Sequence, residues 1–189
     1  MYETFDKTSV FAFSKELFFD NRGYFSELYN QTKEPIFPQG IKQVSESASL
    51  PQVFRGFHFQ FNPPMTKVIR AIAGDCVVIG LNLKTLETSI IELKASDDSK
   101  NCRFTYAYIP RTHATAILNT GDSLLRVQYF HDQPRVDATA KTINPKSINI
   151  PGFTVDWDKV IVSEQDLGAM TLEEWTKSVD FISFQNQGD

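Results

Sequence analysis

The chain has little cysteine, no long uninterrupted apolar run and no excess of positive charge. Its two cysteines, Cys76 and Cys102, are far apart in 189 residues and neither belongs to a CxxC pair, so neither a zinc site nor a disulfide framework is indicated. Residues 1–7 are polar and partly acidic, and the longest apolar run, residues 68–83, contains charged residues. We therefore expect a cytoplasmic protein that neither carries a secretion signal nor spans a membrane.

The charge balance and the histidine content argue against two further classes of function. The chain has 19 Lys and Arg against 23 Asp and Glu, a net charge of −4, so no basic surface is expected to hold a nucleic acid. Arg55, Lys67 and Arg70 are close in sequence and suffice for a small anion such as a diphosphate. The 3 histidines include no H-x-H pair, which makes a metal-dependent oxygenase or isomerase a weak alternative. We expect a small-molecule ligand and no metal or other cofactor.

Aromatic residues make up 13% of the chain, with 16 Phe, and they concentrate in short strand-like runs separated by turn sequences. The runs are residues 41–47, 53–61, 66–73, 76–83, 88–93, 103–109, 115–118 and 124–130. None of the intervening segments has the length and 3.6-residue periodicity of a helix, which disfavours a βαβ architecture. Capping sequences at Ser163 and Thr171 predict only short helices near the end of the chain. We expect an all-β sandwich or barrel with short C-terminal helices.

The most informative segment is R-G-F-H-F-Q, residues 55–60, which places polar groups among aromatic ones. Side chains alternate along a strand, so Arg55 is expected to face away from His58 and Gln60. A histidine on the inner wall of a sheet can act as a base near neutral pH. A hydrogen-bonded core histidine has the same pattern, so this segment alone leaves both interpretations open.

Four motifs in a fixed order make the catalytic interpretation specific. They are D-x-R-G-x-F-x-E at residues 20–27, Q-V-S-E-S at 43–47, R-G-x-H-x-Q at 55–60 with Pro63, Pro64 and Lys67 after it, and Y-I-P at 108–110. In this order and spacing they resemble the dTDP-4-dehydrorhamnose 3,5-epimerase family over roughly residues 15–170. The segment V-S-E-Q-D at residues 162–166 also resembles the part of the family that supplies an aspartate.

The resemblance implies a fold, an assembly and a reaction. Members of the family adopt a jelly-roll cupin fold, here expected as a single domain over residues 1–189, and exchange an N-terminal hairpin in a homodimer. They use no metal, and they act on a nucleotide-diphosphate sugar, here expected to be dTDP-linked. They abstract a proton beside its 4-keto group, which needs a base, a partner for the enolate oxygen and a proton donor.

The resemblance also implies roles for individual residues. His58 would be the catalytic base, Asp166 its carboxylate partner and Lys67 the cation at the keto oxygen. The implied substrate-binding residues, which contact the nucleotide, the diphosphate or the sugar, are Arg22, Glu27, Gln43, Arg55 and Gln60.

The acid side of the site departs from the family pattern. An ungapped match places Thr115 where the family has a histidine, and His113, on the same strand face, joins the binding set as its substitute. The family's proton-donating tyrosine aligns with Gln128, which can hydrogen-bond an enolate but donates no proton at neutral pH, and Gln128 completes the predicted catalytic set. Tyr129 is adjacent and would face the other way unless a bulge or a one-residue shift intervenes.

A further departure, Val78 in place of a family aspartate, removes an expected partner of Lys67. These departures keep several functions open. The preferred one is an isomerase that epimerises a nucleotide-diphospho-4-keto-6-deoxysugar at C3, C5 or both, in deoxysugar biosynthesis for surface polysaccharide or glycoconjugate. A 3,4-keto shift needs the same base and enolate but returns the proton to a neighbouring carbon. The third is a non-catalytic cupin that binds sugar nucleotides.

Overall fold

The computed structural model describes residues 6–33, 36–95 and 105–186. The strands in these ranges are β1 (Phe11–Phe13), β2 (Phe18–Asp20), β3 (Gly23–Phe25), β4 (Gln43–Ser49), β5 (Phe54–Gln60), β6 (Lys67–Ala73), β7 (Asp75–Asn82), β8 (Thr88–Lys94), β9 (Tyr106–Ile109), β10 (His113–Asn119), β11 (Leu125–His131) and β12 (Ala140–Thr142). The helices are a 3-10 turn at Pro145–Ser147 and α1 (Glu164–Leu167), α2 (Leu172–Thr176) and α3 (Val179–Gln185). Cys102 and the start of the strand predicted at 103–109 lie outside the described residues, while Cys76 is a buried free thiol.

The strands form two five-stranded antiparallel sheets that pack face to face. The first has the order β1-β9-β6-β11-β4 and the second the order β12-β5-β10-β7-β8. Hairpin β2–β3 forms a small sheet of its own. The prediction of an all-β sandwich with helices only near the C-terminal end is therefore confirmed.

Three apolar layers follow from the alternation of side chains along the strands. Between the sheets, Ile69 and Val127 of the first sheet pack against Val78 of the second. The outer face of the second sheet is covered by the C-terminal segment around the fully buried Trp175. The outer face of the first sheet is covered by a loop that contains Phe37. The C-terminal segment and the loop with Phe37 thus cover the two outer faces of the sandwich.

The N-terminal hairpin stands apart from these layers. Its turn lies between β2 and β3, and Asp20 there accepts hydrogen bonds from the backbone and the guanidinium of Arg22. The large side chains of the hairpin are exposed, at 53% for Phe18, 54% for Phe19 and 68% for Phe25. Such a cluster of exposed aromatics is typical of a surface that another chain covers.

Strand β5 breaks the expected alternation at Gly56. His58 pairs with Thr115 and Arg55 with Ile117 of β10, so three steps on one strand match two on the other. Gly56 has φ +133°, and a Cβ there would lie 2.6 Å from the Ala116 backbone, so the position excludes any side chain. The expectation that Arg55 faces away from His58 was wrong, because the bulge returns both to the same face.

Strand β11 places Tyr129, rather than Gln128, on the inner face of the first sheet. Leu125 and Val127 are buried between the sheets, and period-two alternation then assigns the inner face to Tyr129 and His131. Gln128 faces outward, where its amide donates to Glu46 at 3.4 Å. The ungapped count from residue 110 that placed Gln128 in the site was therefore one residue out of register.

Candidate active site

A cavity of about 480 Å³ opens between the two sheets. One wall belongs to the second sheet and carries His58, Gln60 and Thr115. The facing wall belongs to the first sheet and carries Lys67 and Tyr129. A volume of this size is ordinary for a small-molecule site. Helix α1 closes one side of the cavity.

On the first of these walls, His58 and Asp166 form a hydrogen-bonded pair. The Nε2 atom of His58 lies 2.8 Å from Oδ1 of Asp166, although the two residues are 108 positions apart in sequence. The Gly56 N–H donates to Oδ2 of the same carboxylate at 3.3 Å. Ser163 caps helix α1 by accepting from the Asp166 N–H at 3.1 Å, which fixes the carboxylate in place.

The carboxylate is ionised despite its surroundings. Burial on its own would raise the pKa of Asp166, but the hydrogen bonds and charge of His58 and the Gly56 N–H together lower it. An ionised carboxylate can only accept, so Nε2 of a neutral His58 carries the proton and Nδ1 has the free lone pair. The side chain of His58 is 48% exposed and that of Asp166 only 6%, so the imidazole is the member of the pair that a ligand reaches.

Lys67 lies deeper in the cavity. Its ammonium donates to the backbone oxygen of His58 at 2.8 Å and to Oγ1 of Thr115 at 3.5 Å. Burial and the charge of Arg135 lower the pKa of Lys67 to about 8. Val78, where the family pattern has an aspartate, lies in the core between the sheets. Among the contacts of the described residues, Lys67 has no carboxylate partner, so its charge is available to a ligand.

Tyr129 faces the cavity from the wall opposite His58. Its hydroxyl shares a hydrogen bond of 3.0 Å with Ser47 of β4. Burial raises the pKa of Tyr129, while the hydrogen bond with Ser47 and the charge of Arg55 act in the other direction. A protonated phenol therefore stands across the cavity from the imidazole of His58, which is the arrangement of an acid and a base on two faces of a ligand.

Three of the predicted binding residues line the cavity. Arg55 is anchored by Ser49, which accepts from its Nε at 2.8 Å. Gln43 accepts from the Arg135 backbone N–H at 2.8 Å, and Gln60 accepts from the Val136 N–H at 2.7 Å. Both glutamines thus hold the loop after β11 against the cavity.

The other predicted binding residues do not line the cavity of their own chain. Arg22 is bound to Asp20 in the hairpin turn, and Glu27 pairs with Lys33 at 2.9 Å. His113 was wrongly predicted as a binding residue. It is buried beside Gly80, with Thr112 hydrogen-bonded to its Nδ1, and burial lowers its pKa to about 4.

Several cavity residues with a hydroxyl, imidazole or charged side chain lie outside the predicted site set. They include Tyr129, His131, Arg135 and Lys141. The period-two pattern that begins with the buried Leu125 and Val127 would have identified the first two. Arg135 follows β11 in a loop, and no periodicity assigns a direction to its side chain.

The described residues contain no group of three or more His, Cys, Asp or Glu arranged to hold a metal ion. None of the helices in the described ranges has the length and apolar composition needed to cross a membrane.

Comparison with known proteins places this cavity in a family. The family model for dTDP-4-dehydrorhamnose 3,5-epimerase matches residues 7–174. The dTDP-4-dehydrorhamnose 3,5-epimerase of Methanothermobacter thermautotrophicus is 29% identical over 90% of this chain and 95% of its own length.

Solved structures agree on the fold. The rmlC epimerase of Mycobacterium tuberculosis superposes with a TM-score of 0.77, at 20% identity over 94% of this chain and 90% of that one. ChmJ, a 3'-monoepimerase from Streptomyces bikiniensis in complex with dTDP-quinovose, superposes with a TM-score of 0.74, at 19% identity over 89% and 86%. The predicted jelly-roll cupin fold is thereby confirmed. Since the family model covers most of the chain, this protein belongs to the dTDP-4-dehydrorhamnose 3,5-epimerase family of isomerases.

Proposed function

We propose that the protein epimerises a dTDP-linked 4-keto-6-deoxysugar by removing a proton from a carbon next to the keto group and returning one to the opposite face. The observation that carries this proposal is the pair of opposed walls, with the base His58 on one and the phenol of Tyr129 on the other. Lys67, at the inner end of the cavity, supplies the charge that the intermediate requires.

Proton removal depends on the His58 and Asp166 pair. A C–H bond next to a ketone ionises readily only when the electron pair can move to the carbonyl oxygen and be stabilised there. His58 takes the proton on Nδ1, and the imidazolium that forms is stabilised by the carboxylate 2.8 Å from Nε2. The ammonium of Lys67 meets the negative oxygen of the enolate.

Proton return depends on Tyr129. Because this residue projects from the sheet opposite His58, a proton from its hydroxyl reaches the other face of the planar enolate and inverts the carbon. The number of carbons inverted follows from how the sugar turns in the cavity, so both single and double epimerisation fit this arrangement.

The nucleotide end of the substrate requires cations at the cavity surface and a second chain. Arg55, Arg135 and Lys141 line the cavity and match the charge of a diphosphate. We propose that Arg22 and Glu27 reach the partner's cavity when the N-terminal hairpin is exchanged in a homodimer. The exposed aromatics of that hairpin support this assembly.

The cellular setting follows from the proposed substrate. We place the enzyme in the cytoplasm, in deoxysugar biosynthesis for surface polysaccharide or glycoconjugate. The reduced thiol of Cys76 fits a reducing compartment.

A solvent-exchange experiment tests this function. The protein is incubated in deuterated water with a panel of nucleotide-linked 4-keto sugars, and deuterium at each ring carbon is followed by NMR. We expect incorporation at C3, C5 or both, and its loss in His58→Ala. A carbonyl that moves to C3 would indicate the 3,4-ketoisomerase instead. Absence of exchange with every sugar would favour a binding protein and contradict the proposal.

A further inference from the structure

His131 lies on the cavity wall that faces His58. On strand β11 it is in register with Lys67 of β6 on one side and Gln43 of β4 on the other. Paired residues on neighbouring antiparallel strands have Cβ atoms about 4.5–5.5 Å apart and share a face of the sheet. The imidazole of His131 and the ammonium of Lys67 are therefore neighbours in one polar row across the inner face.

The imidazole of His131 is buried, oriented and incompletely bonded. The residue is 8% exposed, and its Nδ1 atom has no hydrogen-bond partner among the described residues. Its ring stacks on Tyr129, with centroids 6.2 Å apart and planes 6° apart, which holds the ring in one orientation. A buried polar atom without a partner lowers stability, so an apolar side chain would suit folding better at this position. Because the residue also lines the cavity, a role in ligand binding accounts for a buried imidazole at this position.

The charge state and the tautomer of His131 can be derived from these surroundings. Burial, with a contribution from the charge of Lys67, lowers its pKa to about 4, so the ring is neutral near pH 7. A neutral imidazole has one N–H, and a buried N–H without an acceptor is less tolerated than a bare lone pair. The proton is therefore on Nε2, which makes this atom the hydrogen-bond donor.

Lys67 also has an unused donor. Of its three N–H groups, one is directed at the backbone oxygen of His58 and one at Thr115. The third remains for a ligand, next to the imidazole of His131. The polar row thus offers two adjacent donors, one charged and one neutral.

We propose that His131 is a catalytic residue that donates a hydrogen bond from Nε2 to the keto oxygen of the substrate, beside the ammonium of Lys67. The inference rests on the proposed function, because the oxygen is that of the 4-keto sugar. As His58 removes the proton, the C–H electron pair forms a carbon–carbon double bond and the carbonyl π pair moves to oxygen. Both donors then strengthen their hydrogen bonds to this oxygen, and His131 transfers no proton.

In the described part of the chain no carboxylate contacts Lys67, and a neutral second donor fits this environment. Val78 occupies the position of the family aspartate, and burial and the charge of Arg135 already lower the pKa of the ammonium. A second cation would lower it further and leave Lys67 uncharged at working pH. A neutral imidazole adds stabilisation of the enolate without that effect.

Two substitutions of His131 test the proposal. His131→Phe keeps an aromatic ring next to Tyr129 but removes the donor, whereas His131→Gln keeps an N–H donor. We measure kcat and KM with a dTDP-linked 4-keto-6-deoxysugar, and the Kd of the matching sugar that carries a 4-hydroxyl. Loss of one donor to a developing oxyanion typically lowers kcat by about 100- to 1000-fold. We expect the kcat of His131→Phe to fall by an amount in that range, and the kcat of His131→Gln to be at least about tenfold higher than that of His131→Phe. The Kd of the 4-hydroxy sugar should change less than about threefold in both variants.

Phe130→Leu is the matched control, since this neighbour packs on the outer face of the same sheet. It should keep kcat within about twofold of the unchanged enzyme. Thermal unfolding shows whether His131→Phe is folded. If the unchanged enzyme is active and the folded variant retains more than about a third of its kcat, the proposal is overturned. Equal losses of kcat and of 4-hydroxy-sugar binding would also overturn it, because they indicate general binding. If the unchanged enzyme has no activity on keto sugars, the proposed function fails instead.

If His131→Phe does not fold, His131→Gln and His131→Ala are compared in its place. The kcat of His131→Gln should be at least about tenfold higher than that of His131→Ala, and the two variants should bind the 4-hydroxy sugar with similar Kd. Equal kcat in these two variants contradicts a donor role.

Discussion

Replacing Asp166 by Asn tests whether this carboxylate makes His58 a base. The amide has the shape of the carboxylate, and its oxygen can still accept the hydrogen bond that the Gly56 N–H donates to Asp166. The substitution removes a negative charge that lies 2.8 Å from Nε2 of His58. It therefore separates the charge of the pair from its packing.

The size of the effect follows from the geometry of the pair. Two unit charges about 4 Å apart interact by about 4 kcal/mol at an effective dielectric constant of about 20. Because the side chain of His58 is 48% exposed, we reduce this by half, to about 2 kcal/mol, which corresponds to about 30-fold in kcat. The amide N–H₂ also favours the tautomer with the proton on Nδ1, the atom that must accept the substrate proton. The combined loss should reach about 100-fold or more.

The assay is the initial rate of deuterium incorporation into a dTDP-linked 4-keto-6-deoxysugar at pH 7, followed by NMR. Asp158→Asn is the control, since it makes the same charge change at an exposed position outside the cavity. We expect its rate to match that of the unchanged enzyme within about twofold. If folded Asp166→Asn keeps more than about a third of the rate, the pair does not act as derived above.

Three further predictions follow from the site, the bulge and the hairpin. In a rate–pH profile, activity should fall as pH rises through about 8, where Lys67 loses its charge. In Lys67→Arg this fall should occur at higher pH, because the guanidinium stays charged. Gly56→Ala should lower the free energy of unfolding by about 3 kcal/mol or more. Gly152→Ala should lower it by only about 1 kcal/mol, because no atom of the described residues lies within 4 Å of the added Cβ. Denaturant unfolding compares these two, and equal losses would contradict the close approach to Ala116. Phe25→Ser should weaken the dimer in sedimentation velocity, and an unchanged dimer would contradict hairpin exchange.

Much of the fold was predictable because local sequence determines it, whereas the base side of the site was predicted from the family motifs. Turn residues separate the strands, and the serine at 163 and the threonine at 171 cap short helices as predicted. By resemblance to the family, the motif at residues 55–60 predicted His58 as the base and the segment at 162–166 predicted Asp166 as its partner. The structure places these two side chains 2.8 Å apart. The family and its isomerase class, inferred from these motifs, are confirmed by the match over residues 7–174.

The acid side was not predictable by counting, because register depends on pairing across strands. The bulge opposite Ala116 that turns Arg55 toward His58 arises from the approach of two backbones, which a period-two pattern does not contain. An ungapped count placed Gln128 in the site, while the buried Val127 assigns the inner face to Tyr129. Alternation anchored on a core residue was the more reliable guide.

The hairpin residues show another limit of sequence reasoning. Arg22 and Glu27 match the family motif but lie outside the cavity of their own chain. A sequence motif does not state which copy of the chain a residue serves, and their roles remain tied to the proposed dimer.

The central claim is that proton removal and proton return occur from opposite walls, by His58 and Tyr129. The most direct test follows Tyr129→Phe in deuterated water by NMR, recording both deuterium incorporation and inversion at each carbon. The account predicts that incorporation continues, since His58 still removes the proton, while inversion falls at least about 100-fold. Inversion at the rate of the unchanged enzyme would contradict it.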